Sequence, residues 1–315
     1  MHPTDLLLQA LADGRFHSGE RVAELLGCSR SAVWKRLREV REIPGLEIDA
    51  VTGRGYRLRR PLELLQRERL LQGLSPGQAD SLSDLRVRGT VDSTNALAAQ
   101  ERPAPGTAVA YFAEHQTAGR GRRGRTWVSP YGRNIYFSLA RGFDLPLAQL
   151  SGLSIAAGAV VAEVLQRHGL REHGLKWPND LLWRRRKVAG ILVEAAGESQ
   201  GPATAVIGIG INLDLGAEAG QCIDQPFASL RDAGLQVERN RLAADLLEAC
   251  LSMCAAYARE GLRPFLQTWQ RYDVFRGQPV RLVWPHRELH GRYLRLADDG
   301  GLCLQVAGEE QVFYA

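Results

Sequence analysis

The chain has 315 residues, 45% of them hydrophobic and 24% charged, which is typical of a globular protein and excludes extensive disorder. Its length predicts two or three domains. No apolar run approaches the roughly 18 to 20 residues of a membrane span, and the N-terminus lacks a basic signal region, so we expect a cytoplasmic protein without membrane contact. The formal net charge of +5 permits an anionic partner but does not identify one.

The first sixty residues predict three short helices, because Ser, Thr and Gly stand at helix-capping positions. We expect these helices over Thr4 to Asp13, Ser18 to Gly27 and Ser29 to about Glu42, with the first residue of each range as the N-cap. In the third helix, apolar residues repeat at helical spacing and should face the core: Val33, Leu37 and Val40. This leaves a basic outer surface formed by Arg30, Lys35, Arg36 and Arg38.

Two short strands should follow, Leu46 to Ile48 and Tyr56 to Leu58, around a turn that carries Arg54. The whole predicts a winged helix-turn-helix over residues 1–62. Eleven Lys/Arg against eight Asp/Glu in residues 1–60 leave a charge of +3, which favours DNA as partner. The alternative is a winged helix used for protein contacts or oligomerisation.

The candidate DNA contacts are Ser29, Arg30, Lys35, Arg36 and Arg54. Trp34 has two interpretations. It either faces the groove, where it would contact a thymine methyl group or a sugar, or packs against the wing.

Pro61 ends the second strand, and the sequence LELL after it predicts the start of a new helix. From residue 63 to about 270, apolar runs alternate with helical patterns and predict one mixed α/β domain with an extended sheet. The runs are Ala108 to Ala113, Asn134 to Leu139, Ile191 to Ala195 and Ala205 to Ile209. The helical patterns are Leu150 to Gly169 and Arg241 to Glu260.

Residues 271–315 alternate polar and apolar side chains, with turn signals at Pro285-His286 and at Asp298 to Gly301. This pattern predicts a small β-barrel. The five cysteines of the chain form no CxxC pair, and their odd number favours reduced thiols. Cys250 and Cys254 lie one helical turn apart, but no histidine accompanies them, so core packing is favoured over metal binding and we expect no protein-held metal.

The most informative run is GRGRRGRTW, from Gly119 to Trp127. Its glycines allow backbone N–H groups to approach an anion closely, and its four arginines can neutralise phosphate or carboxylate. A flexible basic loop is the alternative for this run alone. The glycines also fit a GxGxxG pattern, but the interposed arginines and the lack of a βαβ unit argue against a dinucleotide site.

Four other segments carry polar or glycine-rich chemistry: DSTN from Asp92, KWPND from Lys176, KVAGILVE from Lys187 and GIGIN from Gly208. In their order and spacing, these segments and the arginine run resemble the active site of biotin protein ligases. The resemblance covers nearly the whole chain. It implies a catalytic sheet related to class II synthetase cores, an N-terminal domain that represses biotin synthesis genes and an SH3-like barrel at the C-terminus.

The resemblance also implies the ligands and partners. Biotin and ATP with Mg²⁺ are the expected small molecules, and the biotin carboxyl carrier protein of acetyl-CoA carboxylase is the expected acceptor. Operator DNA and a homodimer of the adenylate-bound protein are expected as well. The residues that the resemblance implies for biotin binding are Ser93, Thr94, Asn95, Gln116, Arg120, Gly121, Arg122, Trp127, Lys187, Gly190 and Gly208. The residues that it implies for ATP binding are Arg122, Arg125, Lys176, Asn179, Lys187, Asn212 and Phe227.

Converting a carboxylate into an acyl-adenylate brings negative charges together, so preorganised cations must lower the barrier. Arg122 and Lys187 are the catalytic candidates, and the resemblance implies that Lys187 bridges the carboxylate and the α-phosphate. Asp180, expected at an exposed turn, is the candidate that helps the acceptor lysine lose its proton. Turn capping and an ion pair with Lys176 are the alternatives for Asp180.

Two rival functions share these features: a lipoate ligase, which uses the same core and chemistry, and a transcription factor that senses biotin without transferring it. The resemblance also implies that the dimer interface lies near Ile191 to Gly197 and Gly142 to Leu147. There, an apolar strand beside Lys187 would pair across a two-fold axis through its exposed edge.

Overall fold

The N-terminal part of the protein is a helical unit with a β-hairpin. The structure, a computed structural model, describes residues 3–43, 45–198, 200–216, 220–284 and 287–315. Helices α1 (Pro3–Leu11), α2 (Gly19–Leu25) and α3 (Arg30–Arg41) match the three predicted helices. Ser18 and Ser29 are the N-caps of α2 and α3 as predicted, since each side chain accepts a hydrogen bond from the backbone three residues later.

Two local predictions in this unit are wrong. Thr4 lies inside α1 and donates a hydrogen bond from its hydroxyl to Glu39 instead of capping the helix. The first strand, β1 (Ile48–Val51), begins two residues after Leu46 and pairs antiparallel with β2 (Gly55–Leu58). The buried faces of α3 and the hairpin form a separate cluster that also takes in Leu62 and Tyr131.

The predicted helix at LELL is also wrong. Residues 61–66 have no regular structure, and helix α4 (Arg67–Gln72) begins later, followed by α5 (Pro76–Ser81). Leu62 packs into the N-terminal cluster, whereas Leu65 packs into the central core. The two leucines therefore contact the units on either side of the linker. In a helix, residues three apart lie on the same face, so Leu62 and Leu65 could not pack in opposite directions.

The central unit is a seven-stranded mixed sheet with the order β3-β4-β5-β9-β8-β7-β6. Its strands are β3 (Leu82–Val91), β4 (Ala108–Gln116), β5 (Ile135–Phe143), β6 (His173–Lys176), β7 (Asp180–Trp183), β8 (Arg186–Gly197) and β9 (Ala203–Ile211). Among the strand pairs of this sheet in the described residues, β3 and β4 are the parallel pair, and helix α6 (Thr94–Ala98) lies between them in the chain. Apart from Asn134, which directly precedes β5, the four apolar runs singled out in the sequence lie in these strands, which confirms the predicted mixed sheet.

One face of the sheet is covered by helices α7 (Leu153–Arg167), α8 (Arg239–Glu260) and α9 (Arg263–Tyr272). The segment Leu147–Arg167 has the length and composition of a membrane span, with a mean hydropathy of 1.6, but 61% of its apolar window is buried inside the protein. A helix buried against a sheet in this way is expected of a core element. Cys250 and Cys254 are buried in the same core, where burial raises the pKa of Cys254 to about 12.

The C-terminal unit is an antiparallel sheet of four strands in sequence order: β10 (Pro279–Trp284), β11 (Arg287–Leu296), β12 (Leu302–Val306) and β13 (Glu309–Phe313). Within the described residues, β10 and β13 pair only with their sequence neighbours, so the predicted closed barrel is not confirmed. The turn predicted at Pro285-His286 lies outside the described residues. Tyr293 and Leu304 belong to the same apolar core as the central sheet.

A buried polar network fixes the linker to the central unit. Arg239, at the start of α8, forms an ion pair with Glu114 of β4, and their side chains are only 4% and 5% exposed. The other carboxylate oxygen of Glu114 accepts a hydrogen bond from the Leu65 N–H at 2.6 Å. Arg239 also donates to the Glu63 carbonyl at 3.0 Å, so the linker backbone is bound on both sides of this ion pair.

We expect Arg239→Met to destabilise the fold by about 3–5 kcal/mol, because it leaves the Glu114 carboxylate buried without its partner. Urea unfolding followed by circular dichroism measures this change. The matched control is Arg271→Met, which removes an exposed ion pair with Glu163 and should cost less than about 1 kcal/mol. Equal unfolding midpoints for the two variants would contradict the assignment, and adding Glu114→Gln to Arg239→Met should restore part of the loss.

Candidate functional site

The structure brings the residues predicted to bind biotin to one cavity on the face of the sheet opposite α7 and α8. The cavity is bounded by α6, the end of β4, the arginine loop over residues 119–127, and the adjacent strands β8 and β9. It is lined by Ser93, Thr94, Asn95, Gln116, Arg120, Gly121, Arg122, Trp127, Lys187, Gly190 and Gly208, among others.

One end of this cavity is a buried polar cluster. Ser93 caps α6, so the next two side chains, Thr94 and Asn95, are held in the first turn. The Gln116 side-chain carbonyl accepts hydrogen bonds from the Thr94 backbone N–H at 2.9 Å and from its hydroxyl at 3.1 Å. Ser138 of β5 lies within hydrogen-bond distance of Thr94 Oγ1, at 2.8 Å, and of Asn95 Oδ1, at 2.6 Å. The cluster presents amide and hydroxyl groups in fixed orientations.

The cavity floor is backbone, because glycines stand where side chains would block it. A Cβ on Gly208 would overlap the Asn95 side chain, and one on Gly210 would overlap the Trp127 ring. Trp127 forms a wall, and its Nε1–H is buried without a hydrogen-bond partner in the described residues. An unsatisfied buried donor is unusual, and a ligand acceptor would satisfy it.

The arginine loop is closed by its own backbone. The Gly121 N–H donates to the Arg125 carbonyl at 2.7 Å, and the Trp127 N–H donates to the Gly119 carbonyl at 2.8 Å. Two of its arginines contact different parts of the protein. Arg120 reaches Glu194 at 3.0 Å, and Arg123 donates to the Val283 carbonyl of the C-terminal sheet at 3.1 Å.

Lys187 and Arg122 stand where the first cavity meets a second, larger one, because both residues line both cavities. Lys187 Nζ lies 2.6 Å from Asp180 Oδ1, and the two side chains are 15% and 17% exposed. The expected exposed turn at Asp180 is therefore wrong, and its partner is not Lys176: Asp180 begins β7 and is held inward by Lys187. Burial lowers the pKa of Arg122, and the charge of Arg123 lowers it further.

The second cavity collects the residues predicted to bind ATP: Arg122, Arg125, Lys176, Asn179, Lys187, Asn212 and Phe227. In this cavity the side chain of Asn212 is held by a hydrogen bond to the backbone, because its amide nitrogen donates to the Ala228 carbonyl at 3.1 Å. Phe227 lies beside Lys187 in an isolated β-bridge. The opposite wall comes from the C-terminal sheet, through Arg281 and Trp284.

Comparisons with known proteins identify this arrangement. Residues 90–212 match the model of the biotin/lipoate A/B protein ligase family, and residues 4–57 match that of a helix-turn-helix domain. The chain is 38% identical over 302 residues to the bifunctional ligase/repressor BirA of Escherichia coli, a match that covers 96% of this chain and 92% of that protein. The chain belongs to the biotin protein ligase family.

Other ligases agree in sequence and fold. A biotin–[acetyl-CoA-carboxylase] ligase of Mycobacterium tuberculosis is 35% identical over 267 residues, covering 82% of this chain and 96% of that protein. The biotin protein ligase of Aquifex aeolicus, solved in complex with biotin and ATP, aligns with a TM-score of 0.63 and 25% identity over 74% of this chain and 96% of that one.

The surface predicted to contact DNA in this ligase lies on α3 and the hairpin. Arg30, Lys35 and Arg38 are exposed, whereas Arg36 is half-buried and donates to Cys28 Sγ at 3.3 Å. Ser29 is occupied as the N-cap, and the Arg54 guanidinium lies 4.2 Å from the centre of the Phe16 ring. The Trp34 side chain is 56% exposed, with Arg38 stacked over its ring.

Sequence reasoning missed several residues of this ligase site. Ser138 lies inside a mainly apolar strand, and its polar side chain between Phe137 and Leu139 was the available signal. Glu194 was read as part of an apolar strand although it is charged. Arg281 and Trp284 reach the cavity only through the placement of the C-terminal sheet, for which the local sequence holds no signal.

Proposed function

We propose that this protein activates biotin with ATP to form biotinyl-5′-adenylate and transfers the biotin to a lysine of the biotin carboxyl carrier protein of acetyl-CoA carboxylase. With the adenylate bound, it acts as a repressor of biotin synthesis genes in the cytoplasm. Family membership and the helix-turn-helix match over residues 4–57 support both activities.

The observation that carries the catalytic proposal is the position of Lys187 and Arg122 between the two cavities. Biotin in the first cavity would direct its carboxylate toward this junction, and ATP in the second would place its α-phosphate on the other side. The two cations then neutralise the charge that builds up when the carboxylate attacks phosphorus and pyrophosphate leaves. No general base is needed for this step, because the carboxylate is already ionised.

The first cavity suits biotin, and we assign its polar end to the ureido ring. Ser93, Thr94, Asn95 and Gln116 supply amide and hydroxyl groups there, and Gly190 and Gly208 make room for the ring. Trp127 covers the apolar face of the bicycle and the valeryl chain. Arg120 and Gly121 belong to the loop that closes this end.

The second cavity suits the nucleotide. Arg125, Lys176 and Asn179 supply cationic and polar groups for the phosphates, and Asn212 and Phe227 are assigned to adenine. The described residues hold no group of three or more His, Cys, Asp or Glu side chains suited to a metal. Mg²⁺ would therefore enter with ATP, as it usually does, held by phosphates and one or two carboxylates. Asp180 and Asp224 are the acidic residues that line this cavity.

Transfer requires a neutral acceptor lysine. Asp180 lies 2.6 Å from Lys187 at the junction, so a carboxylate stands beside the place where the adenylate carbonyl would lie. We assign to Asp180 the role of accepting or orienting the acceptor's proton while Lys187 remains on the leaving phosphate.

We propose three domains, over residues 1–62, 63–270 and 271–315. The separate cores of the first two support the first boundary, since Leu62 and Leu65 pack on opposite sides of it. The third is proposed as an SH3-like domain from its four antiparallel strands.

Biotin-dependent release of pyrophosphate from ATP, followed by mass spectrometry of a carrier domain, tests the ligase proposal. We expect release and one added biotin only when biotin is supplied. Lipoate in place of biotin is the decisive control, because turnover with lipoate alone would establish the rival lipoate ligase. Adenylate formation without transfer would establish the biotin sensor.

The edge of β8 supports the proposed dimer interface. Strand β7 pairs with β8 as far as Gly190, and Asn179 extends this contact to Ile191. Beyond Ile191, β8 pairs with β9 alone in the described part of the chain, up to Gly197. This edge lies beside the short turn Leu147–Leu150, so a second copy could extend the sheet there.

Ala195→Pro should weaken adenylate-dependent dimerisation by at least about tenfold, because it removes one N–H from this edge. The Ile191 N–H points toward β7, and the two-residue period of a strand directs the Ala195 N–H the same way, away from β9. Sedimentation across a concentration series measures the constant, with Ala195→Ser as the control that keeps the N–H. Equal dimerisation constants for the ligand-free and adenylate-bound wild-type protein would contradict the coupling.

A further inference from the structure

Glu194 joins three parts of the site that are distant in sequence. It lies on β8, and its Oε2 accepts a hydrogen bond from Asn95 Nδ2 of α6 at 2.8 Å. The same oxygen lies 3.0 Å from Arg120 Nη2 of the arginine loop. One carboxylate therefore connects the buried polar cluster, the loop and the strand whose edge is unpaired beyond Ile191 in the described residues.

The contact with Asn95 has a chemical consequence. A carboxylate only accepts hydrogen bonds, so it must face the amide nitrogen of Asn95 and not its oxygen. This fixes Asn95 Oδ1 toward the Ser138 hydroxyl, 2.6 Å away, and against Gly208. The same amide nitrogen also donates to the Leu192 carbonyl at 3.3 Å, so Glu194 and this carbonyl together set the direction in which the buried cluster presents its donors and acceptors.

The contact with Arg120 acts on the loop. The loop carries four arginines, whose mutual repulsion favours an open, disordered loop. Within the described residues, Glu194 is the carboxylate that forms an ion pair with one of these four arginines. Arg123 instead contacts a carbonyl of the C-terminal sheet, which anchors the other side of the loop.

We propose that Glu194 is a positioning residue that latches the arginine loop over the polar end of the biotin cavity and orients Asn95 within it. This inference rests on the proposed ligase function and adds to it a residue that acts through Arg120 and Asn95 without reaching the reacting atoms. Because Glu194 lies on the unpaired edge, the latch also connects loop closure to the strand proposed for dimerisation.

Glu194→Gln tests the latch, since glutamine keeps the size of the side chain and removes its charge. We expect KM for biotin to rise about tenfold while kcat stays within about twofold, because the loss falls on loop ordering and not on the chemical step. The matched control is Glu163→Gln, which removes an ion pair with Arg271 from a carboxylate that is 40% exposed, against 39% for Glu194. In the double variant Arg120→Gln/Glu194→Gln, the effects should not add, as expected for two residues that act as one pair.

Trypsin cleavage of the loop in the absence of ligand gives a second measurement that does not depend on the ligase reaction. We expect Glu194→Gln to be cleaved at the loop arginines about tenfold faster than wild type or Glu163→Gln. Wild-type cleavage rates in Glu194→Gln, or an unchanged biotin KM in an active enzyme, would overturn the latch. A wild-type protein without biotin-dependent pyrophosphate release would overturn the proposed function instead, and the cleavage rates would still decide whether Glu194 holds the loop.

Discussion

Lys187→Ala is expected to reduce biotin-dependent pyrophosphate release by about a hundred- to a thousandfold, the loss typical for removal of one preorganised charge-stabilising group. Lys187 Nζ stands at the junction of the two cavities, so its charge is needed most when the carboxylate and the α-phosphate approach. The loss should therefore appear in kcat as well as in kcat/KM, as measured by a continuous pyrophosphate assay.

A structural explanation must be excluded, because the substitution also leaves Asp180 without its partner at 2.6 Å. The double variant Lys187→Ala/Asp180→Asn removes that unpaired carboxylate and should recover stability in thermal unfolding without recovering activity. Lys187→Arg keeps the charge but changes its position, and we expect it to remain well below wild type. A folded Lys187→Ala protein with near-normal pyrophosphate release would show that Lys187 does not carry the charge.

The sequence predicted which residues line the two cavities better than it predicted the contacts that hold those residues in place. The arginine run, Lys187 and the glycines of β9 were informative in combination, because their types, order and spacing together resembled one kind of ligand site, whereas a basic run alone is also typical of an exposed loop. Gly208 is an example. The structure leaves no room for a Cβ at this position beside Asn95, so the residue must be glycine, and a glycine is visible in the sequence.

The contacts between distant segments could not be predicted in the same way. The Glu194–Arg120 pair spans 74 residues and the Arg239–Glu114 pair spans 125, so each depends on strand order and helix placement that local patterns do not specify. Asp180 shows the same limit. Its neighbours Pro178 and Asn179 favour an exposed turn, but the pairing of β7 with β8 brings it to Lys187.

The prediction of a helix at LELL in the linker failed for a related reason. LELL has the composition of a helix, but Glu63 is used to cap α8 by accepting hydrogen bonds from the backbone N–H groups of Arg239 and Asn240, at 2.7 and 3.0 Å. Such tertiary hydrogen bonds outweigh a local helix preference of a few tenths of a kcal/mol per residue. This linker geometry also determines how the DNA-binding unit should be tested.

Combined replacement of Arg30, Lys35 and Arg54 by alanine should weaken operator binding on the order of a hundredfold near 0.15 M salt, because phosphate contacts supply a large share of the affinity of DNA-binding proteins. The three side chains are exposed on α3 and the hairpin. Each lost phosphate contact should also lower the slope of log affinity against log salt by about 1. Gel shifts with and without biotin and ATP, over a salt series, measure both quantities.

Point substitutions are the sharper test, because deleting residues 1–62 would expose Tyr131, which is buried in the N-terminal cluster and donates a hydrogen bond to Asp5 at 3.2 Å. Arg271→Ala controls for the loss of an exposed cation elsewhere, since it removes one positive charge from α9, far along the chain from α3. Arg36→Ala should be measured separately, because Arg36 is half-buried and contacts Cys28. If the triple variant bound the operator as tightly as Arg271→Ala, with the same salt slope, α3 and the wing would not be the DNA-binding surface, while the ligase assignment would stand.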